Sequence, residues 1–133
     1  MIADLDELLR SLDPHLHPGA YVFVSLPDGQ DVDRAAAIAF IREAEGMSVI
    51  MDAAAAAAAG FAITQSYAWI SLSVHSDLQA VGLTAALARV LAAAQVSCNV
   101  IAGARHDHLF VPSSQAQVAM AELLALQRQH ARG

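Results

Sequence analysis

The chain has 133 residues, with 13 acidic against 7 basic side chains and a net charge of −6. This length fits one domain, or two very small ones sharing a core. Every basic residue is arginine, which excludes a Schiff-base lysine, a pyridoxal-phosphate anchor and a P-loop lysine. An acidic chain without a basic stripe is expected to bind neither nucleic acid nor an anionic membrane, and no run approaches the roughly 20 apolar residues of a membrane span.

The charge is uneven: residues 1–52 hold ten acids against three arginines, and residues 53–133 hold three acids against four arginines. The opening MIADLDELLRSLDP has neither the positive nor the continuous apolar region of a secretory signal, so a cytoplasmic protein is expected. Cys98 is the single cysteine; it rules out an internal disulfide and, inside VSCNVI, reads as a packing thiol.

Leu5, Leu8, Leu9 and Leu12 recur at helical spacing, with Asp4, Asp6 and Glu7 at the favourable end of the dipole, and predict a helix over 3–12 that Pro14 ends. His15, His17 and Pro18 read as a loop, Tyr21 to Leu26 as a buried strand, and Pro27, Asp28 and Gly29 as a turn. QDVDRAAA carries no firm signal. Residues 37–43 and 47–51 flank a glycine-bearing turn and predict a hairpin. Asp52, Ala53 to Ala59 and Gly60 spell a short helix with an N-cap acceptor, strong helix formers and a residue suited to the left-handed end.

From Ala68 to His75 the pattern alternates, Ile70, Leu72 and Val74 on one face and Trp69, Ser71 and Ser73 on the other. Leu83, Leu87, Val90 and Leu91 form a helical stripe with Arg89 directed to solvent. Val96 to Ala102 is a strand, 103–107 a connection and Leu109 to Val111 a return strand. Pro112 with Ser113 or Ser114 opens a last helix that turns Ala116, Met120, Leu123 and Leu124 inward, and Ser114 with Gln117 fits a capping box. The order β-α-β-β-α is most of a ferredoxin-like unit, an antiparallel α+β sheet with helices on one face. Its last strand is missing, and the β-β-β-α first half is expected to complete the sheet of the second.

Asp77 to Val100, DLQAVGLTAALARVLAAAQVSCNV, resembles the ACT domain: Gly82 and Leu83 match its turn, and Leu87, Val90, Leu91 and Val96 its apolar frame. The continuation NVIAGARHDHLFVP, with YVFVSL and FIREAEGMSVIM upstream, is similar to small bacterial ACT proteins related to the CASTOR arginine sensors and preceded by an N-terminal domain of unknown function. The resemblance implies a βαββαβ fold in two interlocked ACT-like halves, a β-rich one over 1–66 and an ACT domain over 67–133. It also implies dimerisation and the binding of an amino acid or similar small effector at an interface. Within these 133 residues no enzyme or DNA-binding domain is expected for such a module to control.

Gly82 admits close approach to the backbone, and the amides of Gly82, Leu83 and Thr84 can donate to a carboxylate at a helix start. The same glycine also serves a tight strand-to-helix turn with no ligand at all. An ammonium would need an acceptor, and Asp77, Asn99 and Asp107 flank the same strand ends; Asp77 could instead cap the turn, and Asn99 satisfy a neighbouring backbone. The expected ligand site comprises Ser76, Asp77, Val81, Gly82, Leu83, Thr84, Asn99, Val100, Ile101, His106 and Asp107, with no cofactor, no metal and no catalytic residue.

Two other readings stand beside it. His75, His106 and His108 could hold a catalytic metal, although no recognised spacing such as HExxH is present. Ser73 or Ser76 with these histidines and Asp107 supplies hydrolase residue types without a GxSxG elbow. A protein-interaction module with no ligand is the remaining alternative.

Overall fold

The computed structural model describes residues 2–131. In chain order it contains α1 (Leu5–Arg10), β1 (Pro14–Leu16), β2 (Tyr21–Leu26), β3 (Ala37–Glu43), β4 (Gly46–Asp52), α2 (Ala53–Ala58), β5 (Tyr67–Leu72), α3 (Leu83–Ala93), β6 (Asn99–Ala102), β7 (Asp107–Pro112) and α4 (Ala116–Ala131). Two compact units share these elements: one of residues 19–67, the other of 1–18 with 68–133. The first eighteen residues, placed by sequence in the leading half, thus pack with the trailing one.

The larger unit orders its strands β1-β5-β7-β6. Counted from β5, this is the β-α-β-β-α series with β1 in the place of the missing last strand. β1 pairs antiparallel with β5, Pro14 opposite Leu72 and Leu16 opposite Ile70. His15 and the entry to His17 therefore belong to a strand and not to the expected loop. The prolines on either side conceal it in sequence, because the pairing partner lies more than fifty residues away. Asp4 caps α1 through Oδ2, which accepts from the Glu7 N–H at 3.0 Å. The helix stops at Arg10, since Asp13 ahead of Pro14 takes φ +47 and gives its N–H to Gln127 Oε1 at 2.9 Å.

Helices α1, α3 and α4 share one core with Ile70, Leu72, Leu109 and Val111 from one face of this sheet. Leu83, Leu87 and Leu91 of α3 are all buried, the i, i+4, i+8 stripe predicted from sequence, and each contributes about 1.5–3 kcal/mol of burial. In α4 the buried set is Ala119, Leu123 and Leu126, while Leu124 is 38% exposed, against the expectation that it turns inward. Ser114 lies within a 3-10 turn, Ser113–Gln115, and so is not the N-cap of a capping box. β5 ends at Leu72 rather than His75 because the N–H groups of Ser73 and Val74 turn to the carbonyls of Asp13 and Leu12. β6 begins only at Asn99, three residues later than its apolar run suggests.

In the smaller unit the order is β3-β4-β2. Tyr21 to Leu26 pairs in register with Asp52 to Met47, and β3 with β4 makes the expected hairpin. The unassigned QDVDRAAA holds a 3-10 turn at Arg34–Ala36, capped by Asp33. α2 lays fully buried Ala56 against Val22, Leu26, Val49 and Met51, a close approach that only a short side chain allows. Among the described residues, no helix is long and apolar enough to cross a membrane.

Candidate functional site

The connection from β5 to α3 is built by Asp77. Its Oδ1 accepts from the Gln79 N–H at 2.9 Å and its carbonyl from the Ala80 N–H at 3.0 Å, an Asx turn that reverses the chain. Gly82 follows at φ +102, the left-handed region, and no side chain caps the helix it opens. Intrahelical bonding begins with Ala86 N–H to Gly82 O at 3.0 Å. The first N–H groups of α3 therefore have no acceptor within the helix, and its positive end is electrostatically open.

Beside that helix start lies a cavity of about 100 Å³, lined by Ser76, Asp77, Leu83, Thr84 and Asp107 together with Leu78, Ala80 and Ala102. Ser76 is buried and donates from Oγ to Asp107 Oδ2 at 2.9 Å. Asp107 is only 9% exposed, so a carboxylate sits in a small hollow next to a helix N-terminus. The cavity holds roughly three water molecules, room for the head of a small zwitterion rather than for a whole drug-sized ligand.

Five of the eleven residues expected at the site come together in this way. Gly82 is adjacent, but the open space over its α-carbon is filled: a Cβ there would stand 3.0 Å from Leu5 Cδ2. Its glycine admits a neighbouring helix, not a guest. Val81 is 84% exposed. Asn99 and Ile101 pair with Phe110 and His108, on the sheet face opposite Ala102 and Asp107, and Asn99 is exposed rather than buried. Val100 shares the cavity's face but packs on the core. His106 is turned toward the segment that follows β5, its Nδ1 3.1 Å from the Val74 carbonyl. Leu78, Ala80 and Ala102 are the lining residues that sequence reasoning missed; Ala102 follows from the register once Asp107 is recognised as its cross-strand partner.

The histidines do not converge. His75 and His106 have ring centroids 5.8 Å apart, whereas His108 points to the other face and bonds Trp69 and Ser71. Among the described residues, no group of three His, Cys, Asp or Glu is arranged to hold a metal ion. The hydroxyl of Ser76 faces a carboxylate, not an imidazole, so the Ser-His pair of a hydrolytic triad is not formed there. Partial burial pushes the Cys98 thiol up to about 11, far from a reactive thiolate.

Two ACT domain family models match the chain, one over residues 2–68 and the other over 65–124. The first half thus matches an ACT domain in its own right. A Vibrio cholerae protein of unknown function, described as a possible transport protein, is 40% identical in sequence with a TM-score of 0.82, over 92% of this chain and 95% of its own. An Agrobacterium tumefaciens protein matches with a TM-score of 0.63 over 86% of this chain and 88% of its own; at 14% identity that likeness is one of fold alone. No curated protein matches. ACT domains are regulatory small-molecule-binding modules, and with two of them in tandem this chain belongs to the ACT domain family.

Proposed function

We propose that the protein is a non-catalytic cytoplasmic regulator whose effector is an amino acid or a similarly compact zwitterion, bound at the start of α3. One observation carries this reading: Leu83 and Thr84, in the uncapped first turn of α3, line the same cavity of about 100 Å³ as Asp77 and Asp107. The Leu83 and Thr84 amides would receive the ligand carboxylate, and Asp107, fixed by Ser76, its ammonium. Attraction at both ends selects for a molecule carrying both charges at short separation.

The hollow is too small to enclose most side chains, so the rest of the effector extends past its mouth. There Leu78, 66% exposed, and neighbouring Val81 present an apolar rim suited to a second copy of the chain in a homodimer. Val81 and Gly82 border the cavity in the turn that leads into α3, whereas Asn99, Val100, Ile101 and His106 fall outside the proposed site.

A thermal-shift screen of the twenty amino acids tests the reading, because a ligand selective for the folded state raises its melting temperature. At least one small amino acid is expected to do so. Asp107→Asn, which keeps the shape and the Ser76 contact, and Ala102→Leu, which fills the hollow from an exposed strand position, should each abolish the gain. A screen in which no amino acid moves the melting point, or a gain that survives both substitutions, removes the support for this site.

A further inference from the structure

The helix-free face of the larger unit carries a polar cluster unrelated to the cavity. The His17 ring stacks on Trp69, centroids 3.5 Å apart and planes within 8°. His17 Nε2 is 2.7 Å from Ser71 Oγ, which is itself 2.9 Å from His108 Nδ1. The Trp69 indole donates to that same Nδ1 at 3.1 Å.

The protons of this cluster follow from donor chemistry. An indole N–H can only donate, so His108 Nδ1 carries no proton and the ring is the neutral form protonated at Nε2. Ser71 then donates its one hydroxyl proton to Nδ1 and accepts from the Nε2–H of His17. Only this arrangement gives each contact a proton. The two histidines are not equivalent within it. His17 donates through Nε2 whether neutral or charged, and as a cation it still stacks favourably on Trp69. A proton on His108 Nδ1 abolishes the bond from the indole, which can only donate, and reverses the one with Ser71, whose oxygen then accepts from both imidazoles.

We propose that His108 is an acid-operated latch on Trp69: proton uptake at Nδ1 releases the Trp69 indole and reverses the Ser71 bond, removing one side-chain tie between β5 and β7. β1 is three residues long, and the His17 N–H holds it to the Trp69 carbonyl at 2.9 Å. The groups around His108 are Trp69 and Ser71 of β5, His17 just past β1 with His15 stacked edge-on against it, Ile101 of β6, Asp107 on its own strand and His106 just before that strand. Burial and then His106 hold His108 below the ordinary histidine value, with Asp107 opposing; burial, His15 and His108 lower His17 as well. With folded-state values depressed, the unfolded chain takes up these protons first. The stabilisation is therefore complete above about pH 6.5 and is lost as the pH falls below it.

Trp69 is the single tryptophan, so its fluorescence in the intact chain reads the latch directly. Between pH 8 and 5 we expect one sigmoidal change in emission with its midpoint below 6.5, while far-ultraviolet circular dichroism stays constant. His108→Gln, whose amide oxygen accepts from the indole but does not titrate, should flatten the change, and His17→Gln should retain it. A transition that survives His108→Gln, a midpoint at or above 6.5, a flat wild-type curve or concurrent loss of dichroism overturns the proposal. Should His108→Gln not fold, the wild-type indole N–H resonance decides: it must shift in step with the His108 ring titration, and a resonance that stays fixed overturns the latch.

Discussion

The helices that open after β4 and after β5 begin in opposite ways. α2 is capped by its own chain: Asp52 Oδ2 accepts from the Ala55 N–H at 2.9 Å, and the helix ends six residues later. α3 starts at a left-handed glycine with no side-chain cap, yet runs eleven residues and anchors three leucines. A capped helix start has spent its donors internally. An uncapped one beside a cavity with two carboxylates has not, and the proposed ligand site rests on that difference between the two halves.

If α3 persists without a cap because packing holds it, deleting its central leucine must cost far more than any change at a cap. Leu87 is fully buried, and Leu87→Ala is expected to lower stability by about 3 kcal/mol in urea titration. The matching test in α2, Ala56→Gly, should cost only about 1 kcal/mol, the propensity difference in a short helix. Similar losses at the two positions would mean that packing does not distinguish the two helices.

The next effect is at the glycine itself. Gly82→Ala forces a side chain into φ +102 and sets its Cβ 3.0 Å from Leu5 Cδ2, so a loss of about 2 kcal/mol is expected by thermal melting. Leu5→Ala opens space at that contact, and the double variant should recover part of the loss. A double variant no better than Gly82→Ala alone would assign the whole cost to backbone strain.

Local chemistry in the sequence makes much of this legible. Asp52, the alanine run and Gly60 specify α2 without help from elsewhere; the leucine period specifies α3, and Gly82 its start. What is hidden depends on distant pairing. β1 is a strand only because β5 accepts it, and Asn99 looks buried within an apolar run because nothing local shows that β6 ends its sheet. The cavity is half legible for the same reason. Ser76, Asp77, Leu83 and Thr84 lie close together in sequence, whereas Ala102 and Asp107 enter through a cross-strand register. Face assignment, too, needs the register: His106 and Asp107 are neighbours in sequence, but only Asp107 reaches the hollow.

The smallest expected effect bears most directly on the contrast between the two helix starts. Asp52→Ala removes the acceptor for the Ala55 N–H and should cost about 1 kcal/mol, whereas Asp52→Asn keeps an equally good cap and should cost at most a few tenths. Tyr21 supplies an internal control, because burial first and the Asp52 charge second hold its phenol above the ordinary value of 10.0. Both substitutions remove that charge and should lower the tyrosine titration equally in ultraviolet absorbance, but only the alanine variant should lose stability. If the two variants lose stability alike, the Asp52 charge rather than its hydrogen bond supports α2, and a missing cap at α3 ceases to mark donors held in reserve.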